Sequence, residues 1–163
     1  MASHSILDWQ VFFTGTIGAA AALTGMLFVA ISMNLEEILH YAGLPGRAAG
    51  TLGMLVGALV VSGLALAPGQ GDVVLGVEIA TVGTVVAVQA VWVSRGRGET
   101  EDRTSWRLEH LATLLLPSVG LVVGGVSVAV AGAGGLYWVL GAILLAFVSA
   151  SVNAWVLLVE IKR

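Results

Sequence analysis

A chain of 163 residues with 58% hydrophobic side chains, 10% charged ones and a mean hydropathy of +0.98 cannot have water as its main solvent, because an ordinary soluble domain is about one-quarter charged. A fold of this length has too small an interior to absorb so much apolar surface, and the excess must face lipid. A formal net charge of −3 without a sizeable basic patch sets nucleic-acid binding aside, and the absence of cysteine excludes disulfides, thiolate metal sites and a cysteine nucleophile.

Five segments free of Lys and Arg, residues 11–33, 48–67, 73–93, 111–131 and 136–159, are long enough to cross a hydrocarbon core, which takes roughly 20 helical residues. Their apolar runs lack strict alternation, so they read as helices rather than barrel strands. The expected architecture is therefore all-α: one domain over residues 1–163, a bundle of five transmembrane helices with the N-terminus outside and the C-terminus in the cytoplasm.

The first span carries Thr14, Gly18, Ala21, Gly25 and Ser32 on a single stripe. No basic segment precedes it, so it reads as a permanent span rather than a cleaved signal. Residues 34–40 then form a short amphipathic extension in which Glu36 and His40, four apart, share a face. That spacing can hold a divalent metal, although salt-bridge or solvated-face roles are far commoner; no other metal or cofactor is indicated. A Gly43-Leu44-Pro45-Gly46 breaker and Arg47 lead into the second span, where Gly53 and Gly57 form a GxxxG pair suited to close helix approach.

Past the Pro68-Gly69-Gln70-Gly71-Asp72 breaker, the third span contains Glu78, about 9 Å inside at 1.5 Å per residue from Asp72. An unpaired acid costs roughly 2.5–3.5 kcal/mol at mid-bilayer, so Glu78 must face protein, hold a proton or touch water. Thr81 and Gln89 share its face at helical spacing, and the three make a polar stripe across the third span. One reading is a proton- or cation-accessible path; the other is interhelical hydrogen-bond glue. The loop from Ser94 to His110 alternates Arg95, Arg97, Arg103 and Arg107 with acids. It reads as a solvated connector touching anionic lipids or as a docking surface for a cytoplasmic partner.

The fourth span bears the Gly120–Gly124 pair and ends at a Gly132-Ala133-Gly134-Gly135 break. The fifth carries Ala142, Ala146, Ser149, Asn153 and Glu160 along one side, a second polar stripe that would form a seam with the first if the two helices were neighbours. Glu160 can equally reach the headgroups.

Orientation follows from the basic residues, which are retained on the cytoplasmic side. All seven, at 47, 95, 97, 103, 107, 162 and 163, fall at one end of an odd number of spans. Aromatic residues agree: Trp9, Tyr137 and Trp138 fall at the outer ends and Tyr41, Trp92 and Trp106 at the inner ones, while Trp155 lies deeper and is expected against a neighbouring helix. There is no repeat at fixed period.

The run from Gly18 to Leu35, GAAAALTGMLFVAISMNL, together with the Leu44-Pro45-Gly46-Arg47 turn, resembles the opening of a family of short polytopic bacterial integral membrane proteins without established activity. The resemblance implies a bacterial cytoplasmic (inner) membrane and no mechanism. No nucleophile elbow, zinc-protease, P-loop or dinucleotide motif is present, so no enzyme is expected. Two functions remain open. One is a homo-oligomeric channel or transport protein for a small ion or proton, using Glu78, Thr81 and Gln89 with Ser149 and Asn153. The other is a non-catalytic accessory or scaffold subunit binding another membrane protein through small-residue faces. Membrane lipids are partners in either case.

Overall fold

The computed structural model describes residues 9–40, 44–95 and 104–159, with side chains at 9–40, 44–94 and 112–155. All of these residues lie in helices or in the turns joining them: α1 (Gln10–Met33), α2 (Leu35–His40), α3 (Leu44–Ala65), α4 (Asp72–Arg95), α5 (Thr104–Ala131) and α6 (Leu136–Val159), with a 3-10 turn at Gly132–Gly135 between the last two.

Four stretches, Gln10–Met33, Leu44–Ala65, Asp72–Ser94 and Ala112–Trp155, are long and apolar enough to cross a membrane. The last is 44 residues, twice what a bilayer requires, and the Gly132–Gly135 turn folds it back on itself. Gly132 has φ +62°, in the region that only glycine enters freely. Beyond the turn α6 runs antiparallel to α5, with Val139 over Gly124 and Ala142 over Gly120. The chain is thus a multi-pass helical membrane protein with five long helices.

Two boundaries differ from the sequence expectation for reasons of local chemistry. Helix α3 starts at Leu44, not at residue 48, because Pro45 falls in the first turn, where its missing N–H is not needed. Arg47 therefore belongs to the helix and not to a loop. Helix α5 starts at Thr104, not at residue 111, so that part of the charged connector is helical.

Neighbouring helices run up and down, and α3 is the hub. It packs on α1, α4, α5 and α6 and buries residues on nearly every side, among them Ala48, Thr51, Met54, Leu55, Ala58, Val61, Ser62 and Ala65. The closest crossing is α4 on α5. A methyl group built on Gly76 would sit 2.5 Å from the Gly125 carbonyl oxygen and the Ala129 nitrogen, and one on Gly125 would sit 2.5 Å from the Ala80 nitrogen. Backbone meets backbone there, the contact that drives association where lipid removes any hydrophobic force between helices.

At the end of the bundle where α1 and α6 begin, Trp9 stacks edge-on against Tyr137 with ring centroids 4.9 Å apart, bringing together two of the aromatics expected at the outer boundary. Trp155 differs from expectation: it is 67% exposed. Asn153, two residues earlier, takes the inward face of α6.

Candidate functional site

Helix α4 separates its polar residues by face. Glu78 and Gln89, eleven residues or three turns apart, lie on the side of α4 toward α3; Thr81 is displaced outward and exposed. The Thr81 hydroxyl donates to the Val77 carbonyl at 2.8 Å, and the Thr84 hydroxyl to Ala80 at 2.8 Å. Both are satisfied within their own helix and can face lipid without loss.

Glu78 is half-buried, and its Oε2 accepts a hydrogen bond from Gln70 Nε2 at 2.8 Å. Gln70 belongs to the turn after α3, so the bond ties α4 to that turn. Gln70 Oε1 is buried and accepts no hydrogen bond. Gln89 lies over Gly53, and its Nε2 donates to the Ala49 carbonyl at 3.1 Å. The first GxxxG pair thus makes room for a polar side chain at Gly53 and for Val86 at Gly57. Val82 and Val86 occupy the groove between Glu78 and Gln89 with apolar side chains.

On α6, Asn153 is 1% exposed, and its Oδ1 accepts from Arg47 Nε at 3.2 Å. Its Nδ2 has no protein partner. Thr51, one turn further along α3, donates to the Arg47 carbonyl at 2.8 Å. Ser149 is half-buried one turn before Asn153. Each of the two polar stripes therefore ends on α3: Gln89 on its backbone and Asn153 on its Arg47 side chain. Helices α4 and α6 are not closely packed on each other, so the seam expected if the third and fifth spans were neighbours gives way to two separate polar contacts on α3. Arg47 is the partner of Asn153 that the sequence reading did not assign. A buried Asn in an apolar helix demands a partner, and Arg47, at the same end of the bundle, was the one basic residue outside the connector and tail.

Glu36 and His40 both lie exposed on α2, with Ile38 between them turned inward. Among the described residues no group of three or more His, Cys, Asp or Glu is placed to hold a metal. Arg95, Arg97, Arg103, Arg107 and Glu160 have side chains outside the described residues.

Gly53, Gly57, Gly76, Gly83, Gly120, Gly124 and Gly125 are each closed off by another helix of the same chain, whereas Gly15, Gly18 and Gly25 on α1 have nothing within 4 Å, as is also true of Gly63 on α3 and Gly141 on α6. Thr14, Gly18, Ala21, Gly25 and Ser32 are all exposed. Compared with known protein families, with curated proteins and with solved structures, the chain matches none.

Proposed function

We propose that the protein is a non-catalytic accessory or scaffold subunit of the membrane, and that α1 is the helix it offers to another membrane protein or to a second copy of itself. The observation that carries this reading is the contrast among glycines: those at the crossings of α3, α4, α5 and α6 are filled from within the chain, and all three on α1 stand open along the helix. In lipid such a row is where a second helix packs closely. The polar side chains favour the same reading, since Gln89 and Asn153 are spent on holding α4 and α6 to α3.

The proposed setting is a bacterial cytoplasmic membrane with the N-terminus outside, the basic residues of the connector and tail then meeting anionic lipid on the inner face. Replacing Gly18 and Gly25 together by Leu tests the interface. The bundle should unfold at an unchanged temperature while the chain loses its cross-linked partner or dimer; an unchanged cross-linking pattern would refute the role of α1.

Ion or proton conduction by a homo-oligomer is the second reading, favoured by the half-buried carboxylate of Glu78. It requires flux through proteoliposomes that falls in Glu78→Gln. Within one chain Val82 and Val86 interrupt the polar stripe, so a path would have to run between copies.

A further inference from the structure

Helix α5 is held differently on the two sides of Pro117, a buried residue in its interior. Toward the Gly132 turn its backbone is locked on both flanks. A methyl group on Gly125 would sit 2.5 Å from the Ala80 nitrogen of α4, one on Gly124 3.0 Å from the Val139 nitrogen of α6, and one on Gly83 of α4 2.9 Å from the Val122 nitrogen of α5. Toward residue 104 the contact is made by side chains. Leu114 lies over Gly50 of α3 and packs with Met54, Val86, Ala90 and Ala146. Backbone contacts of the first kind yield only if the helices part, whereas aliphatic side chains can change rotamer.

The helical ladder is weakest where these two kinds of packing meet. Proline has no N–H, so the Thr113 carbonyl receives no helical bond from position 117, and the ring crowds that carbonyl. One residue further on, the buried Ser118 hydroxyl donates to the Leu114 carbonyl at 2.8 Å. Such a back-bond competes with the ladder and bends helices. Two successive carbonyls, at 113 and 114, thus hold the helix less firmly than their neighbours do, and sharp bends fall at such points.

We propose that Pro117 is a hinge about which the part of α5 from Thr104 to Leu116 swings as a lever, while the part from Gly120 to Ala131 stays fixed to α4 and α6. From Thr104 to Pro117 the lever is about 20 Å long at 1.5 Å per residue, so a bend of about 20° carries its end by about 7 Å. The charged connector is continuous with that end. Whatever engages the connector therefore sets the angle of α5 and, through Leu114, the packing over Gly50. The hinge is independent of the assembly reading, since it couples the connector to the bundle whether or not α1 meets another helix.

Distances between spin labels on paired cysteines, measured by pulsed electron resonance on the purified full chain in lipid nanodiscs, test the hinge. One pair, Met33→Cys with Thr104→Cys, joins the end of α1 to the start of α5; the other, Val11→Cys with Val126→Cys, joins exposed positions toward the opposite ends of the same helices. The first pair should give a distribution broader than the second by about 5 Å. Pro117→Ala, which restores the missing donor, should narrow the first and leave the second unchanged. Equal widths in the parent would overturn the proposal without any variant at position 117, as would a broad first distribution that survives Pro117→Ala. Narrowing of both pairs together would place the motion outside α5 and overturn it too.

Discussion

Replacing Gly76 by Ala adds one methyl group at the tightest point of the bundle. Ideal placement puts it 2.5 Å from the Gly125 oxygen, 2.5 Å from the Ala129 nitrogen and 2.7 Å from the Ala129 Cβ. Ordinary contacts begin near 3.4 Å, so α4 and α5 must part by close to 1 Å, and no flexible side chain is present to yield instead. Overpacking costs about 1–3 kcal/mol, and the upper half of that range is expected because both neighbours are backbone. Alanine's better helix propensity returns at most about 1 kcal/mol. The control is Gly18→Ala, where the same methyl group enters open space and should leave stability unchanged or slightly raised. Unfolding of both variants in mixed micelles, followed by circular dichroism, gives the comparison. A Gly76→Ala protein as stable as the parent, or a Gly18→Ala protein that is the weaker of the two, would refute the packing described for α4 and α5.

Gln89→Leu removes the bond to the Ala49 carbonyl and crowds Gly53 with a branched side chain; a loss of about 1–2 kcal/mol is expected in the same unfolding assay. Asn153→Leu takes an acceptor from Arg47 inside the bundle and should destabilise by about 1–3 kcal/mol, whereas Ser151→Ala, on the exposed side of α6, should change stability by less than about 0.5 kcal/mol. The natural absence of cysteine makes orientation readable from single substitutions. A membrane-impermeant maleimide should label Gly134→Cys in intact cells and Glu37→Cys only after permeabilisation, and the reverse pattern would invert the proposed topology.

The helices were legible because lipid leaves the backbone little choice. A Lys- and Arg-free run bounded by Gly and Pro becomes a helix whatever surrounds it, and α6 begins and ends where its flanking glycines and hydropathy place it. The misplaced boundaries came from reading Pro45 as a breaker when it was a first-turn residue, and from ending α5 where apolarity ends, although a helix can continue into the polar region. The faces of α4 were partly legible as well. Periodicity places Glu78 and Gln89 on one side, and an offset of three residues turns Thr81 by about 60°, enough to expose it. What periodicity does not carry is the identity of the neighbour. The Gly53–Gly57 and Gly120–Gly124 pairs stand out by their spacing, yet the tightest crossing joins Gly76 to Gly125, neither of them in a GxxxG pair with a partner four residues away. Small residues at 76, 80 and 83 and at 125 and 129 make that contact, and the signal only exists when both helices are seen together.

The polar residues of the bundle are best understood through the helix they share. A central helix touched on all sides needs small residues to admit its neighbours, and each small residue exposes backbone that a neighbour can reach. Gly53 lets Gln89 in as far as the Ala49 carbonyl; Arg47, at the start of the same helix, reaches Asn153 on the other. These two bonds fix α4 and α6 against α3 near one end, and the Gln70–Glu78 bond fixes α4 near the opposite end. Of the three, the first two join a donor to an acceptor at the end of the bundle that carries Arg47. The third joins the Gln70 amide to the half-buried Glu78 carboxyl group and leaves Gln70 Oε1 without a partner among the described residues. A bond that served packing alone would be met as well by glutamine at position 78. Glu78→Gln, which keeps an acceptor for Gln70 Nε2, should therefore leave the bundle as stable as the parent if the bond serves only to pin α4 to the turn after α3.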